Sequence, residues 1–179
     1  MPFPHSYEVD AEAELPPGTG GYHRYYYPGA KSHGGHADLL ILIKPDSAEP
    51  WYGLFEGLGP NRRLAKGVFS CPHPSFVCVV VLGKGYMVRV DEPTDWARVP
   101  LMPIVEVVPV VEEGLLLMSS YNEVIAYGSA GELWRSTPRN VTDDLVIDRV
   151  TKGRLNVHGF NYALGKVEAV LDLATGKDA

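Results

Sequence analysis

Short apolar runs separated by turn residues dominate the hydrophobic pattern of this chain. Residues 37–43 (ADLLILI) form an apolar run, which is typical of a strand that is central in a sheet or buried on both faces. Residues 77–81 (VCVVV) are rich in β-branched side chains, and residues 86–90 alternate between two faces. No window shows a convincing amphipathic helix. The pattern therefore predicts an all-β fold.

Glycine-containing turns divide the remainder of the chain into further segments of strand length. The turns recur at roughly the 8–12-residue spacing that is expected of sandwiches, barrels and propeller-like folds. The predicted strands, in addition to those above, are 22–27, 51–57, 104–111, 114–119, 123–127, 132–136, 145–150, 154–159 and 167–173.

One β-unit occurs twice. Residues 77–90 and 124–136 each contain an apolar strand, a glycine turn and a second strand. When Gly85 is aligned with Gly131, Arg89 falls on Arg135, at an offset of 46 residues. Strand pairs that repeat with a period in the 40s are the sequence signature of propeller blades. The pattern predicts tandem β-meander units, with sub-repeats at about 37–98 and 104–173.

Two stretches carry a resemblance to known proteins. Residues 169–177 (AVLDLATGK) resemble the strand-and-turn ending of repeats in quinoprotein-like propellers, in which the Asp and the Thr close the turn. The residues LLL at 115–117, AYG at 126–128 and WRS at 134–136 resemble a pattern in a family of uncharacterised bacterial all-β proteins. The resemblance implies propeller-like β-repeats, and it implies neither an established activity nor a quinone cofactor.

The number of repeats limits the architecture. About three blade-like units are present, whereas closed propellers typically have about 4–8 blades. We therefore expect antiparallel sheets that pack as a sandwich-like or partly curled single domain over residues 21–179. Residues 1–20 are acidic and end in a proline pair, and we expect them to form a flexible N-terminal arm.

Composition restricts the cellular compartments and the classes of partner that we expect for this chain. The 179 residues carry a net charge of −6, which disfavours nucleic acid because phosphate binding requires clustered Lys and Arg. No apolar run approaches the ~20 residues of a membrane span, and no signal peptide is evident. Cys71 and Cys78 do not form a disulfide framework. These features together predict a cytoplasmic protein that needs no membrane.

The segment 32–38 (SHGGHAD) offers the strongest candidate chemistry. His33, His36 and Asp38 are side chains that zinc or another divalent ion accepts, and they follow a glycine-rich turn. The segment is similar to the H-x-H-x-D-H motif of metallo-β-lactamase-type hydrolases. It departs from that motif in histidine spacing and has Leu39 where the last histidine would stand. A polar turn before the strand explains the same residues.

Other candidate sites are weaker. Cys71, His73 and Cys78 lack the paired spacing of zinc knuckles, and they fit a loop cysteine and a core cysteine. The adjacent acids at 112–113 and 143–144 mark solvated turns, since neighbours in a strand point to opposite faces. Nucleophile-elbow, Walker and dinucleotide-binding motifs do not occur.

Aromatic residues crowd the first third of the chain. Tyr25, Tyr27, Trp51 and Tyr52 are our candidate binding residues, because tyrosine and tryptophan are enriched at interfaces, although core packing and ordinary surface tyrosines account for them more readily. We expect a non-catalytic binding or interaction protein without a cofactor, with a protein partner or a second copy of itself. Two alternatives are a small metal-dependent hydrolase that uses His33, His36 and Asp38, and an immunity-type or accessory protein that binds a basic partner.

The repeat also makes a prediction for Trp134. Its aligned position in the first unit is Val88, which lies on an apolar face with Tyr86 and Val90. We therefore expect the Trp134 ring to face the core, although strict alternation places it beside Glu132 and Ser136.

Overall fold

The computed structural model of the chain is all-β. It describes residues 1–11, 13–14, 21–28, 37–59 and 61–179. Apart from a single 3-10 turn at Val111–Glu113, these described residues contain no helix, and they form fifteen strands in four sheets. No closed barrel or propeller forms within this part of the chain. The all-β prediction is confirmed.

The first sheet, sheet A, is mixed. Its strand order is β1-β3-β4-β2, and β2 runs parallel to β4 while the other pairs are antiparallel. Its strands are β1 (Tyr7–Asp10), β2 (His23–Tyr27), β3 (Leu39–Pro45) and β4 (Trp51–Phe55).

Sheet B and sheet C are antiparallel meanders of four strands each, with neighbours in chain order. The strands of sheet B are β5 (Gly67–Ser70), β6 (Phe76–Val81), β7 (Lys84–Arg89) and β8 (Trp96–Arg98). Those of sheet C are β9 (Glu106–Val110), β10 (Leu115–Ser119), β11 (Val124–Gly128) and β12 (Gly131–Ser136).

Sheet D is an antiparallel meander of three strands. They are β13 (Asp143–Thr151), β14 (Arg154–Asn161) and β15 (Gly165–Asp172). Bulges interrupt the pairing of β13 with β14 on either side of Ile147. The turn after β15 matches the expected role of its motif, because Asp172 Oδ1 accepts hydrogen bonds from the backbone N–H and the hydroxyl of Thr175 at 2.9 and 2.7 Å.

The four sheets stack face to face in the order A, B, C, D. Alternation along the strands sends successive side chains to opposite faces, so the two central sheets can bury both faces. In β6, Val77 and Val79 pack toward sheet A, whereas Cys78 and Val80 pack toward sheet C. A third cluster, which includes Leu117 of β10, fills the space between sheets C and D.

The N-terminal residues differ from our expectation of a flexible arm. Tyr7–Asp10 pairs with β3 as an edge strand, and the side chains of Phe3 and Tyr7 are 4% and 3% exposed. The prediction is therefore wrong for residues 1–11, because Phe3 and Tyr7 add apolar area to two separate core clusters. The predicted arm also covers residues 12 and 15–20, which lie outside the described residues.

Trp134 faces the core as the repeat predicts. It is buried between sheets C and D, and Leu133 beside it is 53% exposed. A β-bulge explains the departure from simple alternation, since Ala126 pairs with Trp134 but Tyr127 pairs with Glu132. The extra residue, Leu133, stays unpaired and turns outward.

Candidate functional site

The outer face of sheet D carries the most prominent exposed apolar surface in the described residues. Alternation along β14 directs Leu155, Val157 and Gly159 inward and places Phe160 on the outside. Four of the ten exposed large hydrophobic residues lie in this sheet and its β14–β15 turn. These four residues, which we call the sheet D patch, are Val146, Phe160, Tyr162 and Leu164.

Local contacts hold the aromatic part of the sheet D patch in place. The rings of Phe160 and Tyr162 meet edge to face, with their centroids 5.8 Å apart. The Tyr162 hydroxyl donates to Asp143 Oδ2 at 3.2 Å, and this hydrogen bond raises the pKa of Tyr162. Tyr162 is nevertheless 77% exposed, so the ring is ordered without being buried.

The turn that carries Tyr162 is itself closed by an asparagine. Asn161 Oδ1 accepts the backbone N–H groups of Ala163 and Leu164 at 2.9 and 3.1 Å. Its amide nitrogen donates to the carbonyl oxygen of Asn140 at 2.7 Å. Asparagine commonly closes turns in this way, because its short amide reaches nearby backbone groups. The patch is therefore presented on a fixed hairpin.

A cleft of about 750 Å³ adjoins the patch. It lies where the β13 edge of sheet D meets β9 and the loop before β5. Ionisable and aromatic side chains that line it are Arg63, Glu106, Tyr121, Asp144, His158, Phe160 and Lys166.

Most of the charged groups in this cleft have partners. Arg63 Nη1 lies 3.0 Å from Asp144 Oδ1, and His158 Nδ1 lies 2.7 Å from Asp148 Oδ1. Glu106 Oε2 accepts the backbone N–H of Ile147 at 3.1 Å. The first two pairs are exposed, so each contributes at most about 1 kcal/mol to stability. They fix the orientation of the side chains more than they stabilise the fold.

The cleft contains a potential general base. His158 and Asp148 form an imidazole–carboxylate pair of the kind that can act as a base. No serine, threonine or cysteine lines the cleft among the described residues, so a Ser–His or Cys–His arrangement is not present there.

The predicted metal site is only partly within the described residues. His33 and His36 lie outside them. Asp38 is described, and its Oδ2 accepts the backbone N–H of Gly57 at 2.8 Å while its own N–H donates to the carbonyl of Phe55. Among the residues that the structure describes, no group of three His, Cys, Asp or Glu side chains could hold a metal. The metal role of these residues stays a prediction.

The predicted aromatic binding residues lie mostly inside the molecule. Tyr27, Trp51 and Tyr52 are 3%, 2% and 7% exposed, and only Tyr25 is half-buried. Tyr27 and Trp51 are buried between sheets A and B, whereas Tyr52 is buried on the other face of sheet A, in a cluster with Leu42 and Leu54. Tyr25 and Trp51 border a cavity of about 210 Å³. The binding role of the four residues stays a prediction.

The two cysteines are free and buried. Burial raises the pKa of the Cys78 thiol to about 12, and it also raises the pKa of Cys71. Both side chains are therefore neutral at physiological pH and behave as small apolar groups. Cys71 lies in the loop between β5 and β6, as the sequence indicates, and its side chain is buried there.

Sequence reasoning missed the sheet D patch. Phe160 follows His158 at the two-residue spacing of a strand, and both lie opposite the inward Val157 and Gly159. Extending the predicted strand 154–159 by one residue would place Phe160 on the polar face. That signal was present, but a single aromatic residue on a polar face is weak evidence on its own.

No protein-family model matches the chain, and a comparison with curated proteins found no match. The described residues also include no helix of the length and apolar character needed to cross a membrane. The candidate site therefore has to be interpreted from its own geometry.

Proposed function

We propose that this chain is a non-catalytic binding protein that holds a protein partner against the sheet D patch. The observation that carries the proposal is the ordered exposure of Phe160 and Tyr162, which are 41% and 77% exposed but fixed by ring and hydrogen-bond contacts. Aromatic side chains at interfaces provide large contact areas, and a fixed side chain loses little entropy on binding.

The charge around the patch favours a partner with lysine or arginine on its surface. Asp143 lies beside Tyr162, and the whole chain has a net charge of −6. The neighbouring Asp144 is already paired with Arg63, so Asp143 is the carboxylate that a basic side chain would meet. Basic side chains can stack on exposed aromatic rings while their charges meet nearby carboxylates. Charge complementarity of this kind mainly increases the association rate and the specificity. This chemistry supports an accessory or immunity-type role better than self-association.

Site-specific photocrosslinking tests the proposal. A benzophenone amino acid at position 164 should crosslink a basic protein in the source cell extract, and the substitutions Phe160→Ala and Tyr162→Ala together should abolish that product. The same probe at Met102, which is 59% exposed away from sheet D, is the matched control and should not capture that protein.

Three results would contradict this function. They are capture that persists in the double variant, capture at both probe positions, and a crosslinked dimer of the chain itself, which would assign the patch to self-association. The melting temperature of the double variant should match that of the parent, because exposed side chains contribute little to stability. This control separates a binding defect from a folding defect.

We also infer that sheets B and C descend from one repeated unit of the propeller type. Their identical strand order and antiparallel connectivity support this inference. A cytoplasmic location is a further part of the proposal, and it is supported by two free thiols that are both buried. Fluorescence microscopy of a tagged chain in its source cell would test the location directly.

A further inference from the structure

A second cavity lies between the two central sheets, remote in sequence from the sheet D patch. Its volume of about 390 Å³ is within the 300–1,000 Å³ of typical ligand pockets. Sheet B contributes Phe76, Met87 and Arg89, and sheet C contributes Tyr127 with the following turn at 128–131. Cys71, which precedes β6, also lines the cavity.

The inner wall of this cavity is apolar and adaptable. Cys71 is 1% exposed, and burial raises the pKa of its thiol, so the sulfur is uncharged. Met87 adds a flexible thioether, which fits its shape to a neighbouring aromatic group more easily than a branched side chain does. Phe76 and Tyr127 supply ring surfaces. These groups favour a planar apolar occupant.

Tyr127 contributes a hydroxyl to the lining of the cavity. The residue is 7% exposed, and its hydroxyl has no hydrogen-bond partner within the described part of the chain. The hydroxyls of Tyr7, Tyr27 and Tyr86 each donate to a backbone carbonyl oxygen. That of Tyr52, which is equally buried, has no such partner among the described residues. A tyrosine hydroxyl without a partner in the protein is available to donate to a ligand.

The Tyr127 hydroxyl is a donor at physiological pH. Burial raises its pKa to about 12, so the proton is retained and the group can donate to an oxygen acceptor. His73 Nδ1 accepts the backbone N–H of Ser75 at 3.2 Å, which places the ring proton of a neutral His73 on Nε2. The cavity thus offers at least two donors.

Charge at the cavity is nearly balanced. Arg89 Nε lies 2.7 Å from Asp95 Oδ2, and its guanidinium lies 5.1 Å from the centre of the Phe76 ring. Asp91 and Glu92 also lie close enough to raise the pKa of Arg89, although its hydrogen bond to Asp95 is the larger cause. The carboxylates offset the positive charge, so an anionic ligand would gain little here.

We propose that the cavity between sheets B and C binds a neutral, planar aromatic molecule that carries a carbonyl oxygen. The ring would lie against Met87, Phe76 and Cys71, and the oxygen would accept a hydrogen bond from the Tyr127 hydroxyl. This site is independent of the partner-binding function of sheet D.

Titration with two small probes tests the site. 1-Indanone has a fused ring and a carbonyl, whereas indane has the same rings without the oxygen. In two-dimensional amide NMR spectra, 1-indanone should cause saturable shifts confined to the cavity lining, with roughly three- to tenfold tighter binding than indane. Ala97→Phe, which adds a ring to the lining, should remove binding of both probes.

Tyr127→Phe isolates the proposed hydrogen bond. This variant should bind 1-indanone and indane with equal affinity, and Tyr52→Phe, which alters a buried tyrosine outside the cavity, should keep the parental preference. Absence of saturable shifts, shifts centred on sheet D, or an unchanged preference in Tyr127→Phe would each overturn the proposal. Amide spectra of the unliganded variants confirm that they are folded.

Discussion

The interface between sheets A and B and the interface between sheets C and D are closed by the same kind of contact. Trp51 donates its indole N–H to the carbonyl of Val90 at 2.8 Å, and Trp134 donates to the carbonyl of Leu173 at 2.8 Å. Each acceptor directly follows the third strand in the chain order of its sheet. The two pairs are each separated by 39 residues, so this contact recurs at equivalent spacing in both halves.

The two interfaces are nevertheless filled differently. Trp51 belongs to an aromatic cluster in which Tyr27 stacks on Phe55 with ring centroids 4.5 Å apart. Trp134 instead packs with aliphatic residues such as Leu155 and Leu171. Most of the closely spaced aromatic residues in the first third of the chain therefore pack between sheets A and B. Their number in the sequence is therefore a poor guide to a binding site.

Removal of either indole should have the largest effect on stability. Trp51→Ala and Trp134→Ala should each lower the free energy of unfolding by about 3–5 kcal/mol, because both remove a buried ring and leave a cavity. We expect the larger loss for Trp51, which is 2% exposed and contacts two tyrosine rings, against 8% exposure for Trp134. Urea unfolding of each variant measures the difference.

Leu133→Ala is the matched control for this pair. Leu133 adjoins Trp134 in the chain but is 53% exposed, so its truncation should change the free energy of unfolding by no more than about 0.5 kcal/mol. A Trp134→Ala variant as stable as Leu133→Ala would show that the contact between sheets C and D contributes little.

Alkaline pH should destabilise the interface between sheets A and B more than the interface between sheets C and D. Tyr7, Tyr27 and Tyr86 donate hydroxyl hydrogen bonds between sheets A and B, and burial raises the pKa of each, to about 12 for Tyr86. An unfolded tyrosine loses its proton near pH 10, so the unfolded state binds fewer protons above that value. The stability that these groups contribute is present below pH 10 and is lost as the pH rises toward 12.

The effect can be measured for one tyrosine. At pH 11, retention of the Tyr86 proton should remove about 1.4 kcal/mol from the free energy of unfolding. The variant Tyr86→Phe should therefore be less stable than the parent at pH 8, by about 1 kcal/mol for the lost hydrogen bond, and should close that gap between pH 10 and 11. Urea unfolding across this range is the measurement, with the exposed Tyr22→Phe as control. If the free energies of unfolding of Tyr86→Phe and the parent fell in parallel with pH, the proposed contribution of the Tyr86 proton would be contradicted.

The sequence was sufficient for most of the strands because their signal is local, although it missed the short edge strands β5 and β8. The apolar runs in β3 and β6 and the alternation in β7 reflect burial that the period of a strand makes visible. The N-terminal strand β1 was missed because its four residues alternate polar and apolar within an acidic stretch. Only pairing with β3 distinguishes it from a flexible arm, and that pairing is not local.

The candidate sites were less predictable than the strands. Phe160 could be placed on a polar face from alternation, but the contact of Tyr162 with Asp143 joins residues 19 positions apart. The cavity between sheets B and C depends on the approach of Met87 to Tyr127, which no periodicity encodes. A site built between sheets is invisible to patterns that describe one strand at a time.

A buried glycine packs against only one of the two indole rings. Gly176 is buried with a φ of 68°, and a Cβ there would lie 2.7 Å from Trp134 Cδ2 and closer still to Cε3. The residue at the same offset beside Trp51 is Pro93, and a cavity of about 210 Å³ adjoins that ring. Gly176→Ala should therefore lower the free energy of unfolding by about 1–3 kcal/mol through overpacking and left-handed backbone strain, whereas Pro93→Ala should lower it less.

Urea unfolding measures both losses of stability, and the same glycine substitution in a Trp134→Ala background is the decisive control. Without the ring, Gly176→Ala should retain only the backbone penalty, about 1 kcal/mol, and an undiminished loss would show that the indole does not require the glycine.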